Sequence, residues 1–334
     1  MKKKLLITGA SGFIGSYLVE EALHQGFEVY AGIRKTSSRS FLQHPEIRII
    51  EFDFSSPSQL LQQLTAFTKE NGGFEYIIHN AGITQANSKE EFHTVNFYYT
   101  QYLVEAVKAS GMPVEKFVLI SSLATYGPGS TDFRPIHADD ECRPISDYGL
   151  SKLRAAQHLA DSGLPYLSVH PTGVYGPRDK GFFQFIKLVN RGFEPYVGGH
   201  RQSLSLIYVK DLARAVVSLL SSPALNRTFL LSDGEVYDKE QIGIEAKKTL
   251  HKKTVKLVLP LKAVKVGVSC IDAVNRVIFR RLPFLNLQKL EEISSANWLC
   301  HTDDVWQSIN TKPQYNLASG IAETIAWYKE NKWL

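Results

Sequence analysis

Cysteine is scarce in this chain of 334 residues: Cys142, Cys270 and Cys300 stand far apart with no paired spacing. That scarcity argues against a disulfide framework and a zinc site, and it suits a reducing cytoplasm. A strong charge of one sign is also missing. The formal net charge of +5 is mild and evenly spread, too weak to indicate nucleic-acid binding. Long apolar runs are absent as well. The opening Met1-Lys2-Lys3-Lys4 leads into Leu5-Leu6-Ile7 but stops at Thr8-Gly9, too soon for an export signal. The most apolar later stretch, Leu257 to Phe284, is broken by Lys262, Lys265, Asp272, Arg276, Arg280 and Arg281. It therefore cannot supply an uncharged span of about 20 residues, although a place on a membrane surface stays open to it. No repeat or low-complexity tract occurs. His200 has no second His, Cys or acidic partner at a ligand-like spacing, so no metal is expected. The expectation is a soluble, cytoplasmic globular enzyme acting on a small molecule, with neither a nucleic-acid partner nor a membrane span.

What is present points to a large core, since 44% of the residues are hydrophobic. Short aliphatic runs at Lys4 to Thr8, Glu28 to Ile33, Ile47 to Phe52, Tyr76 to Asn80, Phe117 to Ser121 and Tyr166 to His170 read as strands. Helical periodicity separates them at Gly12 to Gln25, Phe97 to Ser110 and Ser146 to Asp161, which predicts an α/β, doubly wound parallel sheet. After Pro171 the pattern is mixed, with helices expected at Phe182 to Arg191, Asp211 to Ser221, Lys239 to Leu250 and Ala318 to Asn331. The expected division is a dinucleotide-binding Rossmann domain over 1–170, with returning segments near 204–232. A smaller, interleaved C-terminal substrate lobe would take 171–203 and 233–334.

The first strand runs into Thr8-Gly9-Ala10-Ser11-Gly12-Phe13-Ile14-Gly15 and then a helix. Glycines there let the backbone turn sharply and approach a pyrophosphate, and the helix start offers unpaired N–H groups to it. Gly9, Ser11, Gly12, Phe13, Ile14 and Gly15 are therefore candidate cofactor residues; a glycine-rich turn without a ligand is the plainer alternative. At the end of the second strand Arg34, with Lys35, Ser37, Ser38 and Arg39 beside it, occupies the place where an acidic residue would select NAD. Cations and hydroxyls there suit the 2′-phosphate of NADP, unless the loop is simply solvated. Asp53 and Phe54, ending the third strand, would lie near the adenine.

Tyr148 and Lys152 have the i,i+4 spacing that puts a phenol and an ammonium on one helix face. A tyrosine becomes a useful acid-base catalyst when a nearby cation favours its phenolate. Ser122, at the end of a predicted strand where such sheets bind ligands, could hold a carbonyl or alcohol oxygen, or could only cap the strand. It is preferred over Ser121. Tyr328 and Lys332 share the same spacing and read as accidental surface chemistry.

The runs T-G-A-S-G-F-I-G, H-N-A-G from His79 to Gly82, S-S-L-A-T-Y-G, Y-G-L-S-K and H-P-T-G-V-Y-G-P-R together resemble the extended short-chain dehydrogenase/reductases, also called the NAD-dependent epimerase/dehydratase family. The resemblance is specific up to about Asp211 and loose beyond. It implies that Gly9, Gly12 and Gly15 hold the pyrophosphate, that Asn80, Ala81 and Gly82 pass under the cofactor, and that Ser122, Tyr148 and Lys152 do the chemistry. Pro171 and Val174 would line the nicotinamide. Asn96 matches a position that kinks a helix and holds a relay water in some relatives; an N-cap is the alternative.

Where sugar dehydratases of that family carry an Asp-Glu pair, this chain has Leu123 and Ala124, and His170 replaces a frequent arginine. The resemblance thus favours an NADP(H)-dependent oxidoreductase reducing a small ketone or aldehyde. A nucleotide-sugar 4-epimerase with tightly bound NAD(P) is the runner-up, and a non-catalytic NADP sensor the third reading. Tyr126, Arg178, Phe182, Phe183 and Arg201 are candidate substrate contacts. Val264 to Phe279 reads as a core-facing helix, with a lid or membrane-surface helix as the alternative. The helices at Phe97 to Ser110 and Ser146 to Asp161 resemble those that pair two family subunits, implying a homodimer.

Overall fold

The computed structural model describes residues 2–274 and 286–334. Its strands, in chain order, are β1 Lys4–Thr8, β2 Glu28–Ile33, β3 Arg48–Glu51, β4 Tyr76–His79, β5 Lys116–Ile120, β6 Tyr166–Pro171, β7 Gly173–Tyr175, β8 Phe193–Val197, β9 Ser203–Leu204, β10 Leu206–Tyr208, β11 Arg227–Leu231, β12 Tyr237–Asp238, β13 Val255–Leu259 and β14 Asn297–Trp298. The helices are α1 Phe13–His24, α2 Pro57–Asn71, α3 Lys89–Phe92, α4 Tyr99–Ala109, α5 Asp147–Asp161, α6 Gly181–Asn190, α7 Val209–Ser221, α8 Gln241–Leu250, α9 Leu261–Val274, α10 Leu287–Ser294, α11 Asp303–Ser308 and α12 Leu317–Glu330.

Seven parallel strands form the central sheet in the order β11-β6-β5-β4-β1-β2-β3. Both faces are covered, so its strands read as continuous apolar runs rather than alternating ones. Within β1, Leu5 and Ile7 face a core completed by α1 and α7, while Leu6 faces the opposite core with Leu60 and Leu64 of α2, Leu103 of α4 and Leu159 of α5. This is the predicted doubly wound arrangement, with one strand more than the sequence reading named: β11 returns from the second half of the chain to extend the edge beside β6. Helix α2 was also not foreseen. Its signals are present, with Pro57 in the first turn and Gly72 at φ +80 closing it, but its surface is so polar that only Leu60 and Leu64 are buried.

A separate core gathers Tyr175, Ile186, Tyr208, Ile242, Leu317 and Tyr328. Tyr328 overturns its reading as surface chemistry: it is fully buried, and its hydroxyl donates to Asp179 O at 2.9 Å. Removing that hydroxyl would leave a buried carbonyl short of a partner, which costs about 1–3 kcal/mol. Tyr328→Phe is accordingly expected to lower the denaturant midpoint while leaving turnover per folded molecule unchanged, measured by urea melts beside steady-state rates. The anticipated helix at Val264 to Phe279 begins earlier, at Leu261, and buries Val268 while leaving Val266 exposed. The expected apolar position Ile278 and the charges Arg276 and Arg280 lie outside the described residues.

Candidate active site

The turn after β1 is built by the close approach of three backbones. Gly9 adopts φ +65, and a Cβ on it would lie 2.8 Å from the Ala81 Cα. A Cβ on Gly15 would lie 2.1 Å from the Gly9 carbonyl oxygen, so α1 can begin here only on glycine. Gly12 caps α1 with no side-chain hydrogen bond, so no side chain at the cap takes up the first-turn N–H groups, the kind of helix start that can receive an anion. Ser11 is half-buried at this turn, and Phe13 and Ile14 pack on the core under it.

The loop after β4 is held against that turn by a buried hydrogen-bond chain. The Ala81 N–H donates to Thr8 Oγ1 at 3.3 Å, and Thr8 Oγ1 lies 2.7 Å from His79 Nδ1. On the other side His79 Nε2 lies 3.0 Å from Thr100 Oγ1, whose own proton goes to the Asn96 carbonyl at 2.8 Å. With Thr100 donating elsewhere, His79 Nε2 must donate and Nδ1 must accept from Thr8. Burial pushes the His79 imidazole down to about 3, with Lys152 adding to the shift, so the ring stays neutral and the chain keeps one direction. The sequence singled out H-N-A-G as a motif but gave His79 no role, because its partners Thr8 and Thr100 come from two other elements, β1 and α4.

Asn96 lies inside a π-helical turn, His93–Tyr98, between α3 and α4. It is not an N-cap, and the π turn supplies the kink that the resemblance implied. Its Oδ1 accepts from the Ile83 N–H at 2.8 Å, while Nδ2 donates to Ile83 O and to Ser151 Oγ, each at 3.0 Å. Both side-chain N–H groups are thus committed to tying the 80–83 loop to α5. A Cβ on Gly82 would lie 3.0 Å from Asn96 Oδ1 and 3.6 Å from Lys152 Nζ, which sets this loop beside the lysine.

Ser122 follows β5 and caps the short turn Leu123–Thr125, its Oγ accepting from the Ala124 N–H at 3.2 Å. Capping uses the oxygen and leaves the hydroxyl proton free to be donated. Ser121, by contrast, is buried, and its hydroxyl has no partner among the described residues. Leu123 is packed into a small core with Tyr126, Ile136 and Leu230, so an apolar anchor stands where a dehydratase would carry an acid.

Helix α5 starts at Ser146, whose Oγ accepts from the Gly149 N–H at 3.0 Å. Gly149 faces the serine turn, for a Cβ there would lie 2.4 Å from the Ala124 carbonyl oxygen. This contact brings Tyr148 alongside Ser122. Burial pushes the Tyr148 phenol up to about 12, a rise that the neighbouring Ser122 hydroxyl opposes and Glu292 reinforces. Lys152 donates to the Ile120 carbonyl at 2.5 Å, and burial brings its ammonium down to about 8. The expected lowering of the tyrosine by this lysine is therefore not reached within the protein itself, where desolvation dominates.

Behind the serine, Thr125 Oγ1 donates to the Ser122 carbonyl at 2.9 Å. His170 Nδ1 lies 2.9 Å from that hydroxyl and 3.1 Å from the same carbonyl, and Nε2 lies 2.8 Å from Ser168 Oγ. Because Thr125 spends its proton on Ser122, His170 donates from Nδ1 and accepts at Nε2. Burial holds the ring neutral, pushed down to about 3. The histidine that replaces the frequent arginine thus fixes the turn presenting Ser122. Glu292 of α10 is a further residue that sequence reasoning missed. It accepts from Ser146 Oγ at 2.5 Å, and Gln288 accepts from the Asp147 N–H at 3.1 Å, so α10 grips the start of α5.

The remaining candidates are scattered. Arg34 and Lys35 are exposed at the end of β2 and have no carboxylate partner among the described residues, whereas Arg39 pairs with Glu51 at 2.6 Å and Ser38 bonds Ser40. Asp53 accepts from the Ser55 N–H and hydroxyl, which hold its carboxyl below the usual range, and Phe54 is buried against Tyr99. Pro171 ends β6, and half-buried Val174 pairs with Ile207. Tyr126 is buried and donates to Ala138 O at 2.8 Å, which commits its hydroxyl within the protein. Arg178 is bound to α1 through Ser16 at 2.9 Å and Glu20 at 2.6 Å and sandwiched by the Tyr17 and Phe41 rings, while its buried Nε has no partner among the described residues. Phe182 packs edge-on against Tyr175, with Phe183 in the same core, and Arg201 stacks over Phe133. No cluster of His, Cys, Asp or Glu able to hold a metal occurs among the described residues.

Among known proteins, a ceramide reductase from Caulobacter vibrioides is 25% identical over 98% of this chain and 95% of its own length. A UDP-glucose 4-epimerase from Vibrio cholerae is 28% identical over 80% of this chain and 81% of its own length. The crystal structure of a UDP-glucuronic acid 4-epimerase from Bacillus cereus in complex with NAD has the same fold, with a TM-score of 0.76, 21% identity and coverage of 98% of this chain and 99% of that one. The family model for the NAD dependent epimerase/dehydratase family matches residues 5–231. With its glycine turn, seven-stranded parallel sheet and matching sequence, the chain belongs to the NAD dependent epimerase/dehydratase family.

Proposed function

We propose that this family member is an NADP(H)-dependent carbonyl reductase whose substrate is a ketone or aldehyde. The observation that carries the reading is the Ser122-Tyr148-Lys152 group: with its phenol pushed up to about 12, Tyr148 is protonated near neutrality, the state from which a reductase must start. The full-length similarity to a ceramide reductase supports it. So does the absence of an acid pair at Leu123 and Ala124.

The donor set fits a dinucleotide. The turn from Gly9 to Gly15 would hold the pyrophosphate, Asp53 and Phe54 the adenine side, and Asn80 to Gly82 with Lys152 the nicotinamide ribose, while Pro171 and Val174 would flank the ring. When bound, the reduced nicotinamide supplies the hydride. Ser122 donates its free hydroxyl proton to the substrate oxygen and orients it. Tyr148 delivers a proton to that oxygen as it becomes an alcohol, and the Lys152 ammonium stabilises the phenolate left behind. A nucleotide-sugar 4-epimerase is the second reading, favoured by the similarity to the Vibrio enzyme; it would retain its cofactor through turnover, whereas a reductase exchanges it. The exposed faces of α4 and α5, with Tyr98 stacked on Tyr102, would form a homodimer contact.

The test is consumption of added NADPH by cofactor-free protein across a panel of ketones, including N-acylated amino ketones, with nucleotide sugars alongside. Epimerised sugar without net NADPH loss would contradict the proposal. For the cofactor, unpaired Arg34 and Lys35 should give NADP(H) about a tenfold to hundredfold advantage over NAD(H), the size of one or two charge-assisted hydrogen bonds. Arg34→Asp is expected to remove that advantage in parallel titrations.

A further inference from the structure

The C-terminal lobe carries an apolar face that nothing among the described residues covers. Strands β8 and β13 pair in parallel with Phe193 opposite Val255, Pro195 opposite Leu257 and Val197 opposite Leu259. Registered partners share a face of a sheet, so all six side chains stand on one side. On the other side Glu194 and Tyr196 are buried against α8, Glu194 bonded to Tyr196, Lys247 and Thr254, and Lys256 bonded to Glu240, while Val258 stays exposed. On the outer side Phe193, Val255, Leu257 and Leu259 are left between 40% and 61% exposed. An apolar strand face open to water is unusual for a soluble protein and marks a contact surface.

Charge decides what the contact is. From Lys247 to Lys265 the chain carries lysines and no Asp or Glu, and Lys252, Lys253, Lys262 and Lys265, which bracket β13 in sequence, are exposed. Two copies of such a face would repel each other, whereas an anionic surface would attract it and accept its apolar side chains. Beyond β13, α9 exposes Lys262, Lys265 and Val266 in its first two turns and packs on α10, the helix whose Glu292 grips the catalytic helix at Ser146. We infer that the β8–β13 face, framed by Lys252, Lys253, Lys262 and Lys265, docks the protein peripherally on an anionic lipid bilayer. Among the described residues no helix is long and apolar enough to cross one, so attachment is by this surface and is reversible by salt.

The experiment is co-sedimentation of the full chain with phosphatidylcholine vesicles, with and without phosphatidylglycerol. Binding is expected to be at least about tenfold stronger with the anionic lipid and to fall steeply as salt is raised. Leu257→Asp/Leu259→Asp, on exposed positions, should lower partitioning by at least about tenfold without altering the thermal melt, and Lys252→Glu/Lys253→Glu should do the same. Equal partitioning to both vesicle types, or undiminished binding by either variant, overturns the inference. So does a wild-type oligomer, seen by light scattering, that Leu257→Asp/Leu259→Asp dissolves. The assay contains no cofactor or carbonyl compound, so its outcome is independent of whether the reductase proposal holds.

Discussion

Tyr148→Phe is expected to lower turnover by a factor on the order of 10² to 10⁴ while leaving cofactor affinity nearly unchanged. The substitution keeps the ring that packs near Phe92 and removes only the proton to be transferred. Companion substitutions should separate the roles. Ser122→Ala removes the hydrogen bond to the reacting oxygen and should lower turnover without weakening cofactor binding; the cap on Ala124 is lost with it, so a melt must accompany the rate. Lys152→Ala removes the cation and should weaken both. The pH dependence follows from the same groups. Since burial has brought Lys152 down to about 8, its charge is present near neutrality and is lost as pH rises through that value. Reduction should therefore slow above about pH 8, a decline that Lys152→Arg would displace upward, as read from turnover profiles of the two proteins.

Gly15→Ala should be nearly as damaging, and for a different reason. The added carbon would stand 2.1 Å from the Gly9 carbonyl oxygen and 2.9 Å from the Ala10 Cα, both backbone, so no side chain can move aside. Helix α1 would have to retreat from the turn. Overpacking of this kind costs about 1–3 kcal/mol, and it also withdraws the N–H groups presented to the pyrophosphate. The expected result is a melt lowered by several degrees and cofactor affinity reduced about a hundredfold, measured by calorimetry and by titration with NADPH. Gly26, at φ +85 with open space around it, is a useful comparison: Gly26→Ala meets only backbone strain and should leave cofactor affinity intact.

Much of this architecture is legible in the sequence, because two different physical signals coincide at each step. The aliphatic runs of β1, β2 and β6 are buried on both faces, and their bounds fall within a residue of those expected. The turn from Gly9 to Gly15 and the pair Tyr148 and Lys152 are local spacings, which survive translation from chain to fold. What escaped depends on distant partners. His79 and His170 are neutral pins only because Thr8, Thr100, Thr125 and Ser168 are brought to them, and Glu292 meets Ser146 across 146 residues of chain. Tyr328 is a different case, since its signal was available: Ile321, Ile325 and Tyr328 recur at helical spacing and fall on the buried stripe of α12. Arg178 shows the converse. Read in sequence as a candidate substrate contact, it is also tied to α1 through Ser16 and Glu20, partners too distant in the chain for spacing to show.

The central claim, that the chain moves hydride from a reduced nicotinamide to an external carbonyl with Tyr148 as proton donor, is tested most directly by isotope transfer. Wild-type protein and Tyr148→Phe would be given NADPH deuterated on the transferable face of the nicotinamide, together with a ketone that supports NADPH consumption, and the products read by mass spectrometry. The account predicts one deuterium on the new carbinol carbon for each NADPH oxidised by the wild type, and transfer slowed by the factor given above in Tyr148→Phe. Alcohol formed without deuterium, a sugar epimerised with no net loss of NADPH, or an undiminished rate in Tyr148→Phe would contradict it.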